Sequence, residues 1–270
     1  MIYQGRFIQA SSGHLYLGCF GELTGRDVWL YLPPFAEEMN LSRSIVARQA
    51  RAFTECGEAA VCLDYVGTGD SEGEIEQATI EHWLNDIGET IDWITAQGAR
   101  CVNLWGLRFG GLMAMHYLAE NPDSSVKRLL LWRPVLDGKL MMNQFFRLKQ
   151  VSESMKGGAK VNWLEKARQG ETIEVAGYPI SAALLESISA LKAAPAWPAG
   201  FPNTLWLEAG AEKISSAVEK YAAHWPASRL RLQACPAPAF WQNPDCYQAP
   251  ELIDQTLSST PLTQRVADVC

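Results

Sequence analysis

The residues best placed for chemistry lie in "LWGLRFGGLMA", Leu104 to Ala114, where an apolar run ends at Gly106, turns through Arg108 and resumes past Gly110 with helical spacing. Glycines two positions either side of residue 108 permit a strand-to-helix turn too tight for larger side chains. In its Gly-x-Ser-x-Gly form such a turn holds out a hydroxyl for nucleophilic attack, activated by a histidine that an acid orients. Here the side chain held out is arginine, which stays protonated, offers donors and no acceptor, and cannot attack a carbonyl. The turn also sets Arg108 at a helix N-terminus, where amide N–H groups and the helix dipole already favour negative charge. The chemistry on offer is reception of an anion, either a protein carboxylate or the carboxylate or phosphate of a ligand. Burying the guanidinium unpaired would cost roughly several kcal/mol, so one of the two must hold.

Acidic groups are well supplied around such a site. Glu37 and Glu38 follow the third strand in "LPPFAEEM", Asp137 follows the sixth in "WRPVLDG", and Glu208 and Glu212 follow the seventh in "WLEAGAEK". These carboxylates are expected to converge on Arg108, with Glu38 or Asp137 as its counter-ion and with Glu38 and Glu208 as candidate catalytic carboxylates. Trp105, Trp132 and Trp241, with Phe145, Phe146, Trp197 and Trp206, fall near strand ends or in the helical region after the sixth strand, and are expected to wall an apolar pocket. Ser42 and Ser71 read as helix-cap and turn residues. Cys62 and Cys101 lie in apolar strands, where free thiols behave as small hydrophobes. The seven cysteines include no Cys-x-x-Cys pair and no His/Cys cluster, so neither a metal nor a cofactor is expected.

The elements that must position these groups follow from periodicity. "IYQGRFIQA" and "HLYLGCFGE" alternate as an antiparallel hairpin. From "DVWLYLPP" onward, apolar runs alternate with helical periods, which marks a parallel sheet covered on both faces. The strands read as "AAVCLDY", the run ending at Gly106, "VKRLLLWRPV", "NTLWLEAG" and "RLRLQACP". The helices read as "SRSIVARQARAFTECG", capped by Ser42, then "IEHWLNDIGETIDWITAQG", the helix after the Arg108 turn and "PELIDQTLSS". Between Val135 and Pro202 strand signals give way to helix patterns. This predicts a core of residues 1–137 and 199–270 with an all-helical cap, 138–198, inserted after the sixth strand.

Two features in order, "LDYVGTGDSEG" and "LWGLRFGGLMA", resemble the α/β-hydrolase superfamily across nearly the whole chain. With "YLPPFAEEMNLSRSIVARQARAF", "WRPVLDG" and "VAGYPIS" the sequence is similar to one bacterial branch, the exosortase A system-associated hydrolase 2 family, which carries Gly-x-Arg-x-Gly in place of Gly-x-Ser-x-Gly. The resemblance implies the α/β-hydrolase fold, mostly parallel and eight-stranded, and a hydrolase of an ester, thioester or acyl substrate linked to exosortase or exopolysaccharide systems. It implies an acid after the seventh strand, where Glu208 stands. It implies oxyanion-type amides at Phe35 and Phe109. It also implies a histidine beyond the eighth strand, but "ACPAPAFWQNPDCYQAP" holds none, and Trp241 lies there instead. Of the four histidines, His14, His116 and His224 are expected far from the turn, and His82 reads as a helix-start surface residue. Residues alone favour the alternative, a catalytically inactive anion-binding or regulatory protein that uses Arg108.

Composition bounds the rest. The 270 residues are 48% hydrophobic and 20% charged, with a net charge of −7, enough for one substantial core plus an insertion. No basic cluster points to nucleic acid or an anionic membrane. No apolar run approaches the roughly 20 residues of a membrane span, so no stable membrane insertion is expected, and the first residues lack a basic then apolar leader. The expectation is a cytoplasmic protein with a small-molecule or acyl ligand of negative charge and with its oligomeric state open.

Overall fold

The computed structural model describes residues 2–122, 124–157, 161–193 and 201–259. In chain order the elements are β1 (Tyr3–Ala10), β2 (Gly13–Phe20), β3 (Asp27–Leu32), α1 (Glu37–Glu55), β4 (Ala59–Leu63), α2 (Ile80–Ala96), β5 (Cys101–Leu107), α3 (Phe109–Glu120) and β6 (Arg128–Trp132). Then come α4 (Gly138–Met155), α5 (Trp163–Arg168), β7 (Ile173–Val175), β8 (Tyr178–Ile180), α6 (Ala182–Ala190), β9 (Asn203–Ala209), α7 (Ser216–Ala222), β10 (Leu230–Cys235) and α8 (Pro250–Ser259).

Eight strands make one sheet in the order β1-β2-β4-β3-β5-β6-β9-β10. β1 and β2 are antiparallel, β2 meets β4 antiparallel, and every pairing from β4 to β10 is parallel. This is the α/β-hydrolase fold, and its central strands are buried on both faces, as their continuous apolar runs require. Alternation along β5 sends Val102 and Leu104 to the face covered by α2 and α3, and Trp105 and Leu107 to the face covered by α1 and α8.

Two local readings change. α1 begins at Glu37 rather than beyond Ser42; that serine is buried inside the helix, its hydroxyl donating to the Met39 carbonyl at 3.0 Å. The segment between β6 and β9 is not all helix, because "IEVAGYPI" folds as the hairpin β7–β8. Ala176 and Gly177 both take positive φ, 51° and 86°, the signature of a two-residue primed turn. That run is too short for its period to separate strand from helix. Trp197 lies outside the described residues.

Candidate functional site

The turn between β5 and α3 is held by glycine on both sides. A Cβ on Gly106 would lie 2.5 Å from the Gly110 carbonyl oxygen, and one on Gly110 would run into the Leu32 carbonyl of β3. Arg108 between them takes φ 53°, ψ −115°. Its N–H donates to the Trp132 carbonyl at 2.9 Å and its carbonyl accepts from Val135 at 3.0 Å, so the end of β6 pins both backbone groups. Among the described residues the positive-φ non-glycines are Ala36, Arg108, Arg133 and Ala176. The first three follow the carboxyl ends of β3, β5 and β6, which are neighbours in the sheet. Strain of roughly 1–3 kcal/mol per residue in such conformations gathers where a fold builds its sites.

The Arg108 side chain is 17% exposed and meets Glu38, 24% exposed, with Nη2 to Oε1 at 3.3 Å. Nε adds contacts at 3.4 and 3.3 Å to the two oxygens, so the guanidinium sits across the carboxylate at the long end of hydrogen-bonding range. Burial pushes the Glu38 carboxyl above its ordinary value, and the charge and hydrogen bonds of Arg108 pull it only part of the way back. Over the other side lies Trp241, its ring centroid 5.5 Å from the guanidinium carbon, a cation–π distance. That indole is 2% exposed, and its buried N–H has no hydrogen-bond partner among the described residues.

The expected convergence of carboxylates does not occur. Among the described residues Glu38 is the carboxylate that meets Arg108. Asp137 instead caps α4, accepting from the Leu140 N–H at 2.9 Å, and its other oxygen faces Lys192 at 3.9 Å; an aspartate before a helix serves the helix's own amides first. Glu37, exposed at the start of α1, accepts from the hydroxyl of Tyr178 at 3.1 Å rather than meeting Arg108. Glu208, 6% exposed, accepts from the Trp206 indole at 2.7 Å and lies 3.9 Å from Arg133. Arg133 was not singled out by the sequence reading. Its guanidinium donates to the Ala209 carbonyl at 2.9 Å, which ties the end of β6 to the end of β9.

The expected pocket aromatics also part company. Trp105 and Trp132 are fully buried on the α1/α8 face, packed edge to face at 4.7 Å, with the Trp132 indole donating to Thr256. They are core, because β-strand alternation turns them away from the turn's mouth. Trp206 belongs to a core cluster with Tyr221 and Trp225. Phe146 is buried with α4, and Phe145 reaches Phe35 at 5.2 Å. A cavity of about 90 Å³ does open beside the turn, and the sequence reading missed most of its lining: Met39, Tyr65, Trp83 and Tyr178 join Phe35 and Phe109. Phe35 stands between Trp83 (6.3 Å) and Phe109 (5.8 Å), forming one aromatic wall. Among the described residues the N–H groups of Phe35 and Phe109 have no acceptor.

No histidine joins the site. His14 pairs with Glu72 at 2.7 Å, His116 with Glu120 at 3.1 Å, His224 sits by the Tyr221 carbonyl at 3.3 Å, and His82 is exposed on the first turn of α2. Ser71 is held in its turn, accepting from the Tyr16 N–H at 2.8 Å and donating to the Asp64 carbonyl. Among the described residues no cluster of three His, Cys, Asp or Glu side chains could hold a metal, and no helix is long and apolar enough to cross a membrane.

Comparison with known proteins places this geometry in context. The sequence model of a family described as "Serine aminopeptidase, S33" matches residues 39–179. An uncharacterized 31.7 kDa protein of the traX-finO intergenic region of Escherichia coli is 32% identical over 98 residues, 34% of this chain and 33% of that protein. The mitochondrial palmitoyl-protein thioesterase ABHD10 of Bos taurus is 27% identical over 97 residues, 36% of this chain and 30% of the other. The chain thus spans about a third of the length of the curated relatives it matches. Among solved structures, an esterase from Exiguobacterium antarcticum superposes with a TM-score of 0.57 at 21% identity, covering 86% of this chain and 90% of that one.

Proposed function

The chain belongs to the serine aminopeptidase S33 family, and we propose that within it this protein binds a small acyl anion at Arg108 without forming a covalent acyl intermediate. The observation that carries the reading is the guanidinium at the β5–α3 turn, whose carboxylate partner among the described residues is Glu38, at long contacts, with the Trp241 ring on its other side. A ligand carboxylate in closer, bidentate geometry would out-compete that pairing. The 90 Å³ aromatic cavity is lined by Phe109, next to Arg108 in the chain, and by Phe35 and Met39 on either side of Glu38, though not by Arg108 or Glu38 themselves, and it has room for a short acyl body. The helical segment between β6 and β9 acts as the cap over this mouth. The motif resemblance to the exosortase-associated branch supports a ligand drawn from exopolysaccharide-linked acyl chemistry in a bacterial cytoplasm.

Glu38 regulates the site in this reading. Its proton affinity is raised by burial, so mild acid neutralises it and releases Arg108 to the ligand. Calorimetric titration with short carboxylates such as propionate and succinate tests this. Binding should tighten on Glu38→Gln and vanish on Arg108→Ala. Equal affinity in all three proteins would overturn it.

One feature favours a second reading, slow hydrolysis. The unpaired Phe35 and Phe109 amides form an oxyanion-type pair, and Glu38, with its raised proton affinity, could take a proton from water. An ester and thioester panel separates the readings: turnover that falls in both Arg108→Ala and Glu38→Ala supports hydrolysis, and background rates in all three proteins exclude it.

A further inference from the structure

Helix α4 buries one side and leaves an apolar stripe on the other. Met142 and Phe146 are buried, and Phe145 reaches Phe35 of the aromatic wall beside the turn. Leu140, Leu148, Val151 and Met155 point the other way and are between 55% and 85% exposed. At 3.6 residues per turn these four positions fall within about 80° of the helix circumference and run for roughly 22 Å along it. They are four of the eight large apolar side chains left exposed among the described residues, so the stripe departs from the single scattered apolar residues of an ordinary surface.

The same stretch reverses the charge of the chain. Residues 138–168 carry seven of its 23 Lys and Arg and two of its 30 Asp and Glu, a net charge of +5 against −12 for the remainder. No two of these cations are adjacent in the sequence, which is why no basic cluster is legible there. Packing α5 on α4 gathers them: the Lys149 and Lys166 ammonium groups lie 4.7 and 5.8 Å from the centre of the one Trp163 ring. Arg147 stands at the edge of the stripe, and Lys139 and Lys156 at its two ends, all three exposed. Lys156 shares the Glu153 carboxylate at 3.4 Å. No exposed position of α4 holds a carboxylate.

We propose that α4 docks this protein on an anionic lipid bilayer, with Leu140, Leu148, Val151 and Met155 against the acyl boundary and Lys139, Arg147 and Lys156 among the headgroup phosphates. One partner then satisfies both halves of the face, hydrocarbon taking the stripe and anionic headgroups the cations. The acidic remainder is repelled by the same surface, which turns α4 toward it. A nucleic acid would match the charge but leave the stripe in water, since leucine, valine and methionine offer bases no ring to stack on. A second copy packed through the same face would bring two sets of cations together. The helix lies on the membrane and does not cross it; among the described residues no helix is long and apolar enough to do so. Because Phe145 is on the inner side of α4, docking sets the aromatic cavity one helix diameter, roughly 10 Å, from the lipid. This inference does not depend on what Arg108 binds.

Flotation tests it with vesicles of phosphatidylcholine alone and of phosphatidylcholine with about one-third phosphatidylglycerol. The parent should float with the anionic vesicles, stay behind with the neutral ones and be released as salt is raised. Leu148→Asp combined with Val151→Asp should weaken binding by roughly tenfold or more. Arg147→Gln should weaken it about fivefold, the equivalent of about 1 kcal/mol for one cation at such a surface. These side chains face solvent, so the variants keep the fold and should melt with the parent. Arg108→Ala should bind both vesicle types as the parent does, which separates this face from headgroup phosphate held at the turn. Equal binding to both vesicle types, binding to neither, or indifference to the Leu148 and Val151 substitutions would overturn the proposal. So would loss of binding in Arg108→Ala, or lipid-free self-association in sedimentation velocity that the Leu148→Asp, Val151→Asp variant abolishes.

Discussion

Replacing Glu38 by glutamine measures what the Arg108 pair contributes to folding. Two unit charges 3.3 Å apart attract by about 5 kcal/mol at an effective dielectric near 20. Desolvation takes back roughly several kcal/mol per ion, less here because 17% and 24% of the two side chains stay wet. The contacts are at the long end of hydrogen-bonding range, so the two terms come close to cancelling. The remainder has a sign. The native carboxyl holds its proton more tightly than the ordinary value of 4.5, so the folded state binds more protons than the unfolded chain just above that pH. Stability from this group is therefore complete below about pH 4.5 and is lost as pH rises through the higher native value. Glu38→Gln, which carries no charge to desolvate, should keep stability at pH 7 within about 1 kcal/mol of the parent and should remove this part of the pH dependence. Urea denaturation of both proteins at several pH values from about 4.5 to 8 reads this directly. A loss of roughly 3–5 kcal/mol at pH 7, the cost of breaking a tight buried pair, would refute the reasoning.

Other consequences follow from the same geometry. Gly110→Ala would put a methyl into the Leu32 carbonyl and should cost about 2–3 kcal/mol by denaturant titration, whereas an unobstructed helical glycine would gain up to about 1 kcal/mol from the same change. Trp241→Ala, removing a buried ring that also covers Arg108, should lose about 3–5 kcal/mol and raise the mobility of the arginine in NMR relaxation of its Nε–H. Burial raises the Asp86 carboxyl from 3.8 to about 6, offset in part by Ser12 and the Val66 N–H. It therefore contributes a stability present below pH 4 and lost as pH rises through about 6, worth on the order of 3 kcal/mol. Asp86→Asn should flatten that slope in melting temperatures recorded from pH 4 to 7. A serine-directed fluorophosphonate probe should leave the protein unlabelled, and stoichiometric labelling would contradict the reading of the β5–α3 turn.

The sheet was legible because its signals are local. Runs such as "VCL" and "LLLW" are apolar in every position, a pattern that a strand buried on both faces demands, and the connecting helices carry a clear 3.6-residue stripe. Arg108 with Glu38, and Trp241 near them, were legible for a related reason: Arg108 lies directly after β5, past Gly106, and Glu38 and Trp241 each lie six residues beyond a strand that proline ends. The failures share a cause as well. Glu208 and Asp137 sit at equally suitable strand ends, but the side chains that take up their oxygens, Arg133 and Trp206 for one and the α4 amides and Lys192 for the other, depend on which direction each side chain leaves the chain. Trp105 and Trp132 failed on strand parity, since a shift of one residue moves a side chain to the opposite face. The lining of the cavity beside the turn comes from residues remote in sequence, such as Tyr65 and Tyr178, which no single window brings together.

The strained conformation of Arg108 also explains how such a side chain can stand there. A residue at φ 53° with ψ −115° is costly for any side chain, so the surroundings must impose it. They do so entirely through backbone: the Trp132 carbonyl and Val135 N–H take both peptide groups of residue 108, while Gly106 and Gly110 let α3 and β3 close to contact distance. None of these restraints touches the guanidinium. The turn is consequently indifferent to what its central residue carries beyond Cβ, and what that side chain needs is supplied separately, by Glu38 from α1 and Trp241 from the loop after β10. Packing holds the turn's shape and two other elements hold its charge, so the chemistry at position 108 can change from attack to reception without any change in the sheet that presents it.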